Sequence, residues 1–415
     1  MIFFRTGFAP AFFVSTRYHM SYDAILILIL EGVFALLLLY FHQLLRNPKQ
    51  IVFSAVIIAG AFVLRGLMLT HQTLDYQDFL KVWVAYFRDN GGWKAIAHPI
   101  GNYNVPYLYF LALISYVRIS DLYLIKLLSI LFDILLAWSV MRIVEQFTTS
   151  NIRKLAAYFV TLYLPTVLLN GSYWGQCDSI YAAFAVLALD QALRDRPSVS
   201  MVLFACSFAF KLQAVFILPI ILVLIIHRRM KWWHLLLFPI TYAILVFPAV
   251  YAGLPIKDAV MLYLDQMGTV GQGLNYNSPS VFTVFGDVAN KDFAGKMGIL
   301  TAALSVCIIL FMNIRTQYKS EKKVLCSALL LTIAVPLLLP HMHERYFFLA
   351  DILSLAAAFT APAYFLLPCL LQFASLLGYH AYLKGFYLYP MFYGTLALLA
   401  ALLLSLFWFY SKKRA

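Results

Sequence analysis

Two apolar runs, VLCSALLLTIAVPLLL (Val324–Leu339) and YFFLADILSLAAAFT (Tyr346–Thr360), flank the short polar sequence PHMHER (Pro340–Arg345). The runs have the character of membrane-embedded helices, so the polar turn between them falls at a membrane edge. Two imidazoles, a carboxylate and a guanidinium are costly to hold there. A site for an anionic, phosphate-bearing substrate is the simplest reason to keep them. The competing reading is an interfacial anchor, in which Arg345 snorkels and the histidines mark the interface.

Working outward, the whole chain has the same character. Of 415 residues, 63% are hydrophobic and 12% charged, and the mean hydropathy is +0.83, which excludes a soluble globule. Apolar runs of roughly 15 to 22 residues recur, and ten-residue alternating segments of barrel type do not, so an all-α polytopic membrane protein is expected. The pattern predicts about twelve to thirteen spans between residues 23 and 410, including 178–193, 198–210, 212–227, 324–340 and 346–361. Residues 1–22 form an N-terminal segment, 23–410 a single transmembrane domain and 411–415 a tail; Met20 is an alternative start. Cys177, Cys206, Cys307, Cys326 and Cys369 are widely spaced with no Cys/His pattern, which indicates neither a disulfide framework nor a structural zinc.

The net charge of +13 invites a nucleic-acid reading, but topology explains it better. Basic residues gather in alternate connections: Arg46 and Lys49; Arg142, Arg153 and Lys154; Arg194 and Arg196; Arg228, Arg229 and Lys231; Arg315, Lys319, Lys322 and Lys323; Lys412, Lys413 and Arg414. These are more than half of the 31 Lys and Arg, and the positive-inside rule assigns them, with the C-terminus, to the cytoplasm. Asn104 to Val117 would reverse every later loop if it crossed, so it is read as re-entrant or interfacial, with Pro106 disrupting a span.

On that topology the polar clusters all face outward. They are the first loop (71–104), with Asp75-Tyr76-Gln77-Asp78 and Asn102-Tyr103-Asn104; Trp174-Gly175-Gln176-Cys177-Asp178; Lys211-Leu212-Gln213; the second large loop (252–296), with Asn275-Tyr276-Asn277; and His341 to Arg345. Cytoplasmic loops contain no P-loop or Gly-rich nucleotide motif. An outward-facing enzyme without nucleotide access needs a donor already activated in the membrane, such as a polyprenyl-phosphate sugar. Transfer then requires a carboxylate to take the acceptor's proton and cations to receive the departing phosphate.

Asp75 is the expected general base, with Asp78 second, the two sharing a helix face; the alternative for Asp75 is a helix N-cap. Arg345 is the expected phosphate ligand, with His341 and His343 as helpers and Lys211 as a second cation. A lysine amid apolar residues must face protein or a wet cavity. Asp178 either positions the acceptor or caps the following helix, and Asp133 is expected to pair with Lys126 or Arg65. Trp83, Trp93 and Trp174 suit interfacial anchoring or sugar stacking.

Taken in order, Asp75-Tyr76, Asn102 to Tyr107, Trp174 to Ser179, Phe210 to Gln213 and His341 to Arg345 resemble the motif series of GT-C glycosyltransferases, across about residues 50 to 350. The likeness is to bacterial relatives of the GPI-anchor mannosyltransferases and dolichol-pathway glucosyltransferases. It implies an inverting transferase moving one hexose, mannose or glucose, from a polyprenyl-phosphate carrier to a glycan or lipid-linked acceptor. Asp75 would be the base, and the donor's tail would lie between helices among membrane lipids. Substrate contacts would come from Tyr76, Tyr103, Trp174, Gln176, Asp178, Gln213, Asn277 and Glu344. Most members require no metal, and His341-x-His343 has no third-ligand spacing. Two departures stand out: a span precedes the usual first one, and Arg345 stands where lysine is frequent.

A transporter or flippase of lipid-linked sugars is the main alternative, since intramembrane charges suit a transport path. Against it, no internal repeat is visible and the clusters collect at one face. A polymerase or ligase using lipid diphosphates would favour an Arg-rich outer loop, which is lacking. The expected location is a bacterial plasma membrane with the site facing out and no nucleic-acid partner.

Overall fold

The computed structural model describes residues 21–268, 273–284, 290–316 and 320–411, with 264–268 as backbone only. The readings made for the N-terminal segment up to Met20, for Lys319 and for the basic tail Lys412-Lys413-Arg414 lie outside the described residues.

Short polar residues start the helices. Ser21 Oγ accepts from the Ala24 amide at α1 (Tyr22–Phe41), and Asn47 Oδ1 accepts from Gln50 at α2 (Pro48–Met68), where Pro48 sits at a position whose N–H has no intrahelical partner. The first long loop then folds as a π-helical turn Tyr76–Leu80, α3 (Lys81–Asp89), a 3-10 turn Gly92–Ala97 and α4 (Val105–Ile114). The amphipathic α3 buries Trp83, Val84 and Phe87. At ten residues α4 is only about 15 Å long, too short to cross a bilayer.

Next come α5 (Asp121–Glu145), α6 (Asn151–Tyr163) and α7 (Pro165–Val167), which runs on as a π-helix to Trp174. Pro165 cannot continue the hydrogen-bond ladder of α6, and the chain bends by 43° there. They are followed by α8 (Asp178–Leu193), α9 (Pro197–Phe210), α10 (Ile220–Ile226), α11 (Leu237–Tyr251) and α12 (Ile256–Gly268). The rest comprises the two-residue strand β1 (Asn275–Tyr276), α13 (Lys291–Ile314), α14 (Glu321–Leu338), β2 (Met342–His343), α15 (Phe348–Thr360), α16 (Leu366–Lys384) and α17 (Phe392–Tyr410).

The chain is an all-α polytopic membrane protein. Among the described residues, seven helices are long and apolar enough to span a membrane, or eight if the bent α6–α7 pair is counted as one span. Of the twelve to thirteen expected, five segments fall short of that length and apolarity: α8, α9, the Leu212–Ile226 segment and α15 are too short, and the 18-residue α14 opens on Glu321, Lys322 and Lys323. A 13-residue helix such as α15 reaches only about 20 Å. α8 and α15 are enclosed by other helices, whereas α1, α2, α11 and α13 turn Ile29, Val56, Ile244 and Ile308 outward, as lipid contact requires.

A buried ion pair ties α2 to α5. Arg65 of α2 bonds Asp133 of α5 through Nε and Nη2, and its Nη1 donates to the carbonyls of Ala61 and Leu162; both side chains are fully buried. Of the two bases expected for Asp133, Arg65 is the partner. Lys126 donates instead to the carbonyls of Met68 and His71, closing the C-terminal end of α2.

Candidate functional site

The π-helical turn, α3, the Asn102–Asn104 segment, α12, the C-terminal ends of α9 and α16 and the turn between α14 and α15 meet around a cavity of about 300 Å³. Its wall includes Asp75, Trp83, Asn102, Tyr103, Gln176, Lys211, Gln213, Tyr263, His343, Glu344, Arg345 and Tyr382. Four of the five sequence clusters thus share one cavity; the fifth region, the second large loop, contributes Tyr263 to its wall, and Asn275 and Tyr276 are joined to it by pairing: β1 runs parallel to β2, with Tyr276 opposite His343.

Asp75 is the centre of this arrangement. It stands at the head of the π-helical turn but makes no capping bond with its side chain, so the N-cap alternative does not describe it. Its carboxylate faces inward and accepts from Trp174 Nε1 at 2.8 Å, from Gln176 Nε2, from the Tyr382 hydroxyl and from Arg345 Nη1 at 3.3 Å. The turn that aims two of these donors depends on Gly175, whose φ of 82° is in the left-handed region and lets Trp174 and Gln176 face the same carboxylate. Behind them, Thr73 Oγ1 bonds the Trp174 carbonyl, Ser129 Oγ bonds the Gln176 carbonyl, and the Tyr103 hydroxyl donates to Gln176 Oε1 at 2.8 Å.

The cations are placed with equal care. Lys211 sits at the break after α9, buried, and pairs with Asp178 at the head of α8. Asn170 Nδ2 donates to the other Asp178 oxygen at 2.6 Å and contacts the Tyr379 hydroxyl. Asp178 thus holds Lys211 rather than lining the cavity. Arg345 lies over the Trp174 ring at 4.8 Å, with Nε 3.4 Å from buried Glu344. Burial opposes its charge, but Glu344, Asp178, Tyr103 and Asp75 outweigh that and hold the guanidinium well above its usual range. Burial likewise pushes the Tyr103 phenol well up, so it remains a donor.

Several expected site residues lie elsewhere. Asp78 is exposed and lines no part of the cavity, because the π-helical turn is wider than an α-turn and carries position 78 off the face of Asp75. Tyr76 is buried toward α5, its hydroxyl on Asp121 at 3.3 Å. His341 has φ of 62° and spends its ring Nδ1 on the Gly273 carbonyl at 2.7 Å, so it fastens the second loop. Asn277 accepts from the Tyr387 hydroxyl at 2.6 Å outside the cavity. Trp174 is fully buried, under Tyr382 at 4.6 Å, and offers no face for a sugar. His343 does line the cavity, its ring stacked on Tyr276 at 4.8 Å. Tyr382 was not expected from sequence, since it lies in the apolar run of α16.

A second hollow of about 610 Å³ opens nearby between α2, α7 and α16. Its lining is almost wholly apolar, with Met68, Leu169, Phe373, Leu376, Leu377 and Leu388, and with Tyr173, His380 and Lys384 among its few polar side chains. No group of three or more His, Cys, Asp or Glu suited to a metal ion occurs among the described residues.

Fold and site together define a multi-pass α-helical membrane protein with an acid-centred, cation-flanked cavity at one end of its bundle. A scan against protein-family models and a search of curated proteins return no match to the chain.

Proposed function

We propose that this protein is an inverting glycosyltransferase of GT-C type that moves a single hexose from a polyprenyl-phosphate carrier to an extracytoplasmic glycan or lipid-linked acceptor. The observation that carries the reading is one carboxylate, Asp75, fixed by four donors in a cavity that also contains two cationic side chains, Arg345 and Lys211. A base, a receiver for a leaving phosphate and an excluded volume are what this chemistry needs. In the step, Asp75 takes the acceptor's proton while the freed oxygen bonds the anomeric carbon from the face opposite the phosphate. The carbon–oxygen bond to the phosphate breaks, and its electron pair leaves with the phosphate toward Arg345 and Lys211.

The apolar hollow supports the lipid-linked donor, since it lies between membrane-spanning helices beside the cavity and accepts hydrocarbon. The alternation of basic loops supports a site facing away from the cytoplasm. A transport reading draws less support: Arg65 and Asp133, two of the intramembrane charges that suggest it, are paired, fully buried and line neither cavity.

The test is a transfer assay on purified protein in nanodiscs, offering radiolabelled polyprenyl-phosphate mannose and polyprenyl-phosphate glucose with a lipid and glycan extract, wild type beside Asp75→Asn. Sugar leaves the carrier with wild type alone if the reading holds. Tight donor binding without turnover favours the flippase.

A further inference from the structure

The Asp75 carboxylate is held asymmetrically. Trp174, Gln176 and Arg345 all direct N–H groups at Oδ2, whereas among the described residues the Tyr382 hydroxyl alone donates to Oδ1. A carboxylate oxygen has two lone pairs, so three donors saturate Oδ2 while Oδ1 keeps one lone pair to spare. The Tyr382 ring stacks on the Trp174 indole at 4.6 Å and 17°, so one buried residue fixes both the saturated oxygen and the hydroxyl that meets the other.

We infer that Oδ1 is the oxygen that takes the acceptor's proton, and that Tyr382 is a positioning residue that turns it toward the cavity. The inference rests on the glycosyl-transfer reading above. The acceptor's O–H bond breaks, its proton moves to the spare lone pair of Oδ1, and its electron pair forms the bond to the anomeric carbon as the phosphate leaves with its own pair. Tyr382 keeps its proton throughout. Without the hydroxyl, Oδ1 has no fixed direction, and proton transfer is sensitive to that direction. Donor binding is not, because the expected phosphate ligands Arg345 and Lys211 hold their places through Glu344 and Asp178.

The experiment measures kcat, donor KM and thermal unfolding for wild type, Tyr382→Phe and Asp75→Asn in nanodiscs, with polyprenyl-phosphate hexose as donor. Tyr382→Phe keeps the ring stack, so kcat is expected to fall roughly ten- to a hundredfold, the range for a hydrogen bond to a charged group, with KM unchanged within about twofold. Turnover at the wild-type rate, or a raised KM at unchanged kcat, overturns the inference. If Tyr382→Phe unfolds, 3-fluorotyrosine in place of Tyr382 retains the ring, adds one ortho fluorine and makes the hydroxyl a stronger donor to Oδ1; kcat moving without KM supports the role, and no change in kcat overturns it. Asp75→Asn separates the two levels. If it turns over as wild type does, Asp75 is not the base and this inference falls with that assignment, whereas absence of turnover by wild type is the failure of the glycosyl-transfer reading itself.

Discussion

The two ends of the bundle carry similar charges in opposite arrangements. At the end away from the cavity, Asp190 of α8 accepts from Arg142, Gln146, Gln191 and Arg194, and Glu145 of α5 accepts from Arg194 at 2.8 Å, Lys154 and His42. That network closes on itself, and neither of the two cavities touches it. At the other end Asp75 has as many donors as Asp190, but three of them, Gln176, Arg345 and Tyr382, stand in the wall of a hollow. Density of ionisable groups therefore does not mark the site; an acid whose satisfied partners border open volume does.

The sharpest way to break this contrast is to remove one carboxylate from each end. Asp75→Asn is expected to lower transfer by about a hundredfold or more, the usual contribution of a general base, while the protein still folds and binds donor. Arg345→Ala comes next, weakening donor binding by roughly ten- to a hundredfold in a direct lipid-phosphate binding assay, as for a lost charge-assisted contact. Asp190→Asn leaves transfer within about twofold but lowers unfolding stability by about 1–3 kcal/mol, because Arg142 and Arg194 lose their shared acceptor. Activity loss in Asp190→Asn without loss of stability would erase the distinction between the ends.

The smallest effect concerns His71, whose ring stacks on Tyr173 at 3.7 Å near the apolar hollow. Burial, with Lys126 and then Lys384 adding to it, lowers its pKa to about 4 from 6.5. The folded state therefore favours the neutral ring. Its contribution to stability is full above about pH 6.5 and is lost as pH falls toward 4. The thermal midpoint of wild type should drop over that window, and His71→Phe should flatten the drop.

Much of the fold and part of the site were legible in the sequence because polar residues are scarce in so apolar a chain. Asp75, Lys211, Gln213, His343 and Arg345 are conspicuous for that reason, and all line one cavity. The errors have separate causes. Hydropathy does not fix where a helix ends, so the run read as 346–361 folds as the 13-residue α15, and the span count read from sequence is high. Nearness in sequence does not fix facing, which is why Asp78, beside Asp75, points away, and why His341, two residues from His343, serves a loop carbonyl. Tyr382 gave no local signal at all: a tyrosine near the end of an apolar helix is ordinary until α16 packs on Trp174.

Trp174 and Tyr382 lie 99 and 307 residues beyond the carboxylate they hold. During synthesis at roughly 5–20 residues per second, the interval between Asp75 and Tyr382 is on the order of 15–60 s. Through that interval the first loop waits in the translocating membrane without its full set of donors. The site is thus a late product of biogenesis: a nascent chain released before α16 has inserted carries the acid but not the setting that gives it a direction.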